Sequence, residues 1–258
     1  MKFIGIIPAR YASSRFPGKP LADLCGKTVI HRVYEQAAKA LDTVMVATDD
    51  ERIYDAVELF GGKAVMTRAD HRCGTDRCLE AYEAVTTPQW REMNNRDTVI
   101  INIQGDEPFV QPEQIEALMA CFDNPATQIA TLVRPYTAAD TLADLENPNT
   151  PKVVWSKLTG EALLFSRSVI PYLRGIDKSE WLSRGEYYRH IGMYAYRADI
   201  LTEITQLAPT PLEQAESLEQ LRWLDNGYRI RIGVTDIPTI GIDTPDDLQK
   251  AIEWYKNN

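Results

Sequence analysis

The sequence predicts an α/β protein with a mostly parallel, open sheet flanked by helices. Through the first half of the chain, short apolar runs alternate with longer stretches whose apolar positions recur at helical spacing, the pattern of successive βαβ units. The run 99–103, Val-Ile-Ile-Asn-Ile, is apolar at nearly every position, as expected of a central strand covered by helices on both faces. With 258 residues, 44% of them hydrophobic, the chain has material for one large domain or two small ones.

Strands are expected over 3–7, 44–47, 64–66, 99–103 and 129–133, with helices over 29–41, 52–60, 77–85 and 113–122 between them. After Pro135 the rhythm changes. Runs 152–155 and 162–165 flank the turn Leu158-Thr159-Gly160-Glu161 and read as a hairpin, and 192–196 reads as a further strand. This middle part is expected to be a small inserted substrate or dimerisation subdomain. Residues 170–190, punctuated by Pro171, Gly175 and Gly185, show no amphipathic period and are expected to form a loop or a dimer contact. The chain closes with a helix over 212–226, a strand over 229–234 and a helix from Thr244, with Pro245 in its first turn and Asp246 and Asp247 near its positive end.

A net charge of −9, with no basic stripe, argues against a nucleic-acid partner, so any bound anion has to be held by a local cluster of cations. No apolar stretch reaches the roughly 18 residues of a membrane span, and the amino-terminal apolar run is broken at Pro8, too soon for a secretory signal. The protein is therefore expected in the cytoplasm, without a membrane partner. Cys25, Cys73, Cys78 and Cys121 have no C-x-x-C spacing and read as reduced thiols, and Cys73, Cys78 and His71 match none of the common zinc patterns.

Two familiar phosphate motifs fail. Gly26-Lys27-Thr28 resembles the end of a P-loop, but Leu21 stands where that motif requires glycine, and no G-x-G-x-x-G occurs. Gly26-Lys27 is better taken as a turn before a helix capped by Thr28.

Three other segments carry the chemistry. The first apolar run leads into Pro8-Ala9-Arg10-Tyr11-Ala12-Ser13-Ser14-Arg15-Phe16-Pro17-Gly18-Lys19-Pro20, a cationic loop beyond the carboxyl end of a strand, where open parallel sheets bind ligands. Arg10, Arg15 and Lys19 can converge on a triphosphate, with Ser13 and Ser14 as further donors, each charge-assisted bond contributing about 1.5–3 kcal/mol. The run 99–103 delivers Gln104-Gly105-Asp106-Glu107-Pro108 to the same sheet edge, and one carboxylate beside a triphosphate suffices for Mg²⁺. Asp243, in Gly241-Ile242-Asp243-Thr244-Pro245, reads either as a helix cap, a role Thr244 can also fill, or as a second carboxylate on the same metal.

Taken in order, the 8–21 loop, Gln104-Gly105-Asp106-Glu107-Pro108, Phe165-Ser166-Arg167, His190-Ile191-Gly192, Pro211-Leu212-Glu213, Leu218-Glu219-Gln220-Leu221-Arg222 and Gly241-Ile242-Asp243-Thr244-Pro245 resemble the 3-deoxy-manno-octulosonate cytidylyltransferases, or CMP-Kdo synthetases. The resemblance runs from residue 3 to about residue 250, with Phe16 and Asp50 as small departures. It implies a single Rossmann-like nucleotidyltransferase domain over 1–258, with a CTP-binding part at about 1–134, a sugar-binding and dimerisation part at about 135–225 and a closing sheet and helix at about 226–258. It also implies a cytoplasmic homodimer that makes CMP-Kdo and diphosphate from CTP and Kdo for lipopolysaccharide synthesis.

By the same resemblance, Arg10, Arg15 and Lys19 hold the triphosphate, the Ala9 backbone with Gly74 and Thr75 reads the cytosine, and Arg77 belongs to the nucleotide site. Asp106 and Asp243 hold Mg²⁺ and, with Lys19, form the catalytic set. Gln104, Arg167, His190, Tyr194, Glu219 and Gln220 hold the sugar acid, Arg167 by a bidentate fork on its carboxylate. Residue chemistry leaves open another acidic sugar, 8-amino-Kdo or sialic acid, and a non-catalytic nucleotide-binding protein on the same fold.

Overall fold

A computed structural model describes residues 1–13 and 15–257. Nine strands are formed: β1 (Lys2–Ala9), β2 (Val44–Thr48), β3 (Ala64–Met66), β4 (Thr98–Asn102), β5 (Ile129–Pro135), β6 (Lys152–Ser156), β7 (Glu161–Ser166), β8 (Tyr188–Arg197) and β9 (Ile230–Val234) among the described residues. The helices in chain order are α1 (Val29–Ala40), α2 (Glu51–Leu59), α3 (Gly74–Ala84), α4 (Pro88–Asn94), α5 (Pro112–Ala120), α6 (Leu142–Glu146), α7 (Trp181–Arg184), α8 (Ala198–Ile204), α9 (Pro211–Glu216), α10 (Gln220–Asp225) and α11 (Pro245–Asn257). None of them is long and apolar enough to cross a membrane.

The chain forms two compact units that do not follow chain order: 1–116 with 195–205 and 239–258, and 117–194 with 206–238. In the first unit β1 pairs in parallel with both β2 and β4, and β2 in parallel with β3. β2 and β4 are buried at every position, which is why their sequences lack an in–out alternation. α1 covers this sheet with Val29, Ile30, Val33 and Ala37, and the Thr28 side chain accepts from the His31 amide at its start, the cap expected of that residue. In the second unit β5 and β9 are parallel, while β7 pairs antiparallel with β9 and with β6. The expected 152–165 hairpin is therefore the β6–β7 pair.

Four local expectations differ from the structure. The stretch 212–226 is two helices, α9 and α10, because Ser217 adopts a left-handed conformation, φ 50°, that ends α9. α9 opens on a capping box between Thr210 and Glu213. Helix α3 starts at Gly74 rather than Arg77, and α4, with Pro88 in its first turn behind the Thr87 cap, fills a stretch in which no helix was expected. Within 170–190 a helical turn at Lys178–Glu180 leads into α7, and Trp181 and Tyr187 pack on Leu145 in a small apolar cluster.

Candidate active site

Because β1 and β4 are parallel and in register from Lys2↔Thr98 to Ile6↔Asn102, their carboxyl ends open on one edge of the first unit's sheet. The loop after β4 passes so close to β1 that a Cβ on Gly105 would lie 2.8 Å from the Pro8 carbonyl oxygen, which is why glycine stands there. The loop after β1 folds back on itself. The Gly18 amide donates to the Tyr11 carbonyl at 2.9 Å, Gly18 takes a φ of 73° that L side chains avoid, and Lys19 opens a short helical turn. The Arg52 guanidinium lies 3.3 Å over the Tyr11 ring and backs this loop.

The third segment arrives from the carboxyl end of the chain. Ile242, fully buried with Leu24, Val29 and Phe109, donates its amide to the Asp106 carbonyl at 2.9 Å. That bond sets Asp243 beside Asp106 although they are far apart in sequence. The capping alternative is settled here: the Thr244 hydroxyl accepts from the Asp247 amide at 3.2 Å and so caps α11, leaving the Asp243 carboxylate to face the loop.

Lys19 Nζ donates to Asp106 Oδ2 at 2.6 Å and to Asp243 Oδ1 at 3.3 Å, and Arg15 Nη2 lies 3.2 Å from the same Asp243 oxygen. The cationic loop and the two acids, whose convergence the sequence left unproven, therefore meet at one point. Around them lies a pocket of about 260 Å³ lined by Ala9, Arg10, Ser13, Arg15, Lys19, Gly74, Arg77, Gln104, Asp106 and Asp243. Every one of these was singled out in the sequence. Ser14, also singled out, lies outside the described residues. Thr75, the second residue of α3, is buried and is not among the residues lining the pocket.

The pocket wall also carries Arg72, which the sequence did not single out, and His71, which it offered only as part of a rejected zinc pattern. Their only signal as pocket residues is their place just before the Cys73 cap position of α3, a helix amino terminus that favours anions. With Arg72 included, five guanidinium and ammonium groups face two carboxylates in the pocket of a chain of net charge −9, the local concentration of cations that an anionic ligand requires. Glu107, next to Asp106, turns inward. Burial, reinforced by the Asp106 charge, pushes its carboxyl up to about 8, so it is neutral at pH 7.

The expected sugar-acid residues, apart from Gln104, belong to the second unit. His190 and Tyr194 have ring centroids 5.3 Å apart, and Tyr194 packs edge-on against Trp223 at 5.1 Å. Burial drives the His190 imidazole down to about 3, and its Nε2 is 2.9 Å from Thr131 Oγ1. It is therefore a neutral hydrogen-bonding group at physiological pH rather than a proton carrier. The Tyr194 phenol is raised well above its ordinary value by burial and then by the Glu219 charge. Gln220 is almost fully buried and its Nε2 has no partner among the described residues, a polar atom whose burial calls for one.

Arg167, expected to offer a bidentate fork to the sugar carboxylate, is held here by backbone carbonyls. Its Nε, Nη1 and Nη2 donate to the carbonyls of Glu216, Pro148 and Ser217 at 2.6, 2.9 and 3.2 Å, tying the end of β7 to the α9–α10 turn. One proton remains on each Nη for a further acceptor.

A family model described as cytidylyltransferase matches residues 4–232. The 3-deoxy-manno-octulosonate cytidylyltransferase of Bacteroides thetaiotaomicron is 61% identical over 100% of this chain and 99% of its own length. That of Parabacteroides distasonis is 58% identical, with the same coverage. Among solved structures, a CMP:2-keto-3-deoxy-manno-octonic acid synthetase complexed with CTP superposes with a TM-score of 0.87 at 42% identity, covering 100% of this chain and 99% of that one. The 4-diphosphocytidyl-2C-methyl-D-erythritol synthase of Anaerococcus prevotii, at 13% identity and a TM-score of 0.58, shares the fold alone. From its matched family model and its full-length relatives, the chain belongs to the cytidylyltransferase family and, within it, to the 3-deoxy-manno-octulosonate cytidylyltransferases.

Proposed function

We propose that the chain transfers a cytidylyl group from CTP to the anomeric hydroxyl of Kdo, forming CMP-Kdo and diphosphate. The observation that carries this reading is the Lys19 ammonium resting on both Asp106 and Asp243 inside a cation-lined pocket. Relatives of the stated identity and coverage bear the name of that activity, and a solved relative holds CTP.

In the reaction the sugar hydroxyl attacks the α-phosphorus in line with the departing diphosphate. No covalent nucleophile on the protein is required, so positioning and charge neutralisation supply the rate. Arg10 and Arg15 hold the leaving diphosphate, and Lys19 offsets charge developing on the phosphoryl oxygens. Arg167 contributes its remaining Nη protons to the sugar carboxylate, and Gln104, His190, Tyr194, Glu219 and Gln220 recognise sugar hydroxyls, the neutral imidazole as a hydrogen-bonding group. Missing partners in such a site are costly, which is the basis of discrimination.

Asp106 and Asp243 fit Mg²⁺. They bring two carboxylates onto one cation, and Mg²⁺ usually takes one or two protein carboxylates beside phosphate oxygens. When bound, the ion would neutralise phosphate charge and lower the pKa of an adjacent hydroxyl.

The chain acts in the cytoplasm in lipopolysaccharide synthesis, as a homodimer. Leu158, Leu163 and Leu164 on the β6–β7 hairpin are exposed and offer an apolar surface for self-association, which sedimentation equilibrium tests. The test of the activity is diphosphate release from CTP, UTP, ATP or GTP with Kdo, 8-amino-Kdo or sialic acid and Mg²⁺. Release with CTP and Kdo in preference to the other pairs is the expected result. Binding of CTP without release under any pairing overturns the reading in favour of a nucleotide-binding protein.

A further inference from the structure

We infer that Asp49 is a positioning residue for Arg77 and that, through Arg77, it sets the preference of the pocket for cytosine over uracil. The inference rests on the cytidylyl-transfer reading and extends it to a residue that does not line the pocket.

Arg77, in the first turn of α3, is only 4% exposed, yet it is one of the residues lining the pocket, as is Gly74. A buried guanidinium has to be partnered, and its partners fix the direction in which its remaining protons point. Nη1 donates to Thr67 Oγ1 at 2.6 Å, and Nη2 lies 3.4 Å from Asp49 Oδ2. The Thr67 hydroxyl has one proton, and that proton goes to the Thr48 carbonyl at 3.1 Å. Its lone pairs are thereby turned toward the arginine, so the contact has one direction only.

Both anchors sit at the carboxyl ends of sheet strands. Asp49 directly follows the last residue of β2, and Thr67 directly follows β3, two parallel strands ending on the same edge as β1. The neighbouring Asp50 does other work. It accepts from the Arg52 amide at 3.0 Å as the cap of α2 and pairs with the Arg52 guanidinium at 2.6 Å. Asp49 Oδ1, in contrast, is buried with no partner among the described residues, so this carboxylate is tied to the protein through its pairing with Arg77. An uncompensated carboxylate in that place is costly, and the arginine is what offsets it.

The consequence is chemical. A planar guanidinium presents parallel N–H groups. Cytosine offers two adjacent acceptors, O2 and N3, whereas uracil offers the O2 acceptor beside an N3–H donor. A fork held in one orientation matches the first and sets donor against donor on the second; a fork free to rotate loses that contrast. Asp49 and Thr67 hold it.

The test uses the full chain carrying Asp49→Asn, Asp49→Glu or Thr67→Val, with dissociation constants for CTP and UTP from calorimetry and kcat and KM for CTP. Asp49→Asn is expected to raise KM for CTP about tenfold with kcat changed less than about threefold, and to lower the UTP-to-CTP ratio of dissociation constants by about tenfold. Thr67→Val moves the ratio in the same direction, and Asp49→Glu restores part of it. A purely structural role lowers the melting temperature without moving the ratio, so a ratio unchanged in both Asp49→Asn and Thr67→Val overturns the inference. If Asp49→Asn does not fold, Thr67→Val decides. Wild-type protein that binds CTP no more tightly than UTP overturns this inference and leaves the sugar chemistry standing, whereas wild-type protein that releases no diphosphate from CTP overturns both.

Discussion

Replacing Lys19 by alanine removes a cation shared by Asp106 and Asp243, and the structure sets the size of the effect. Both carboxylate oxygens lie within 3.3 Å of Nζ, so they are at most about 6 Å apart. At an effective dielectric constant of about 20 their mutual repulsion is about 3 kcal/mol. Arg15, 3.2 Å from Asp243 but largely exposed, offsets part of it, leaving a loss of stability of about 1–2 kcal/mol. Turnover suffers more. A charged group aimed at developing phosphoryl charge contributes about 2.7–4 kcal/mol, so kcat is expected to fall at least about 100-fold. The assay is diphosphate release at saturating CTP and sugar, with urea unfolding of the same samples at low and high salt. Added salt should recover part of the lost stability, because the repulsion is screened, but none of the lost turnover. A folded Lys19→Ala variant turning over within about threefold of the parent would refute the role.

Asp106→Asn is expected to abolish Mg²⁺-dependent diphosphate release while circular dichroism and melting temperature stay close to the parent; normal turnover with Mg²⁺ would remove Asp106 from the metal site. Gly105→Ala places a methyl group 2.8 Å from the Pro8 carbonyl oxygen, which backbone shifts have to relieve, so urea unfolding should show a loss of about 1–3 kcal/mol and KM for CTP should rise. The His190 imidazole, held near 3 by burial, stays neutral in the fold while the unfolded chain takes up a proton below about 6.5. Its contribution is therefore complete above that pH and is lost as the pH falls toward 3, at about 1.4 kcal/mol per unit. His190→Gln should flatten the dependence of the urea midpoint on pH across that window.

Much of the pocket was legible in the sequence because its residues sit in short contiguous segments directly after apolar strands. A parallel sheet sends such segments to one edge, so Arg10, Arg15, Lys19 and Asp106 followed from chain order and strand direction alone. Arg72 and His71 were not legible as pocket residues, since they precede a helix whose start lies before its apolar period becomes visible. The break between α9 and α10 was hidden for a related reason. Apolar spacing runs on through Ser217, and only the left-handed backbone there, at a residue that is neither glycine nor asparagine, reveals the stop.

Arg167 and Asp49 show the limit from the other side. Both residue types announce a charge that needs a partner, but neither sequence neighbourhood names one. The partners are three backbone carbonyls from two loops in the first case and an arginine on α3 in the second. Asp243 is the plainest instance: its motif reads first as a cap, and only the Thr244 hydroxyl on the Asp247 amide and the Ile242 amide on the Asp106 carbonyl make it the second carboxylate.

Residue order alone determined the α/β alternation, the cationic loop and the acidic strand end, because each depends on the local periodicity of burial and on turn chemistry within a few residues. Only the folded chain decided which distant acid joins Asp106, which hydroxyl caps α11 and where each guanidinium points. Those choices depend on hydrogen bonds between segments far apart in sequence, and such bonds exist only once the sheet and its helices have brought their backbones together.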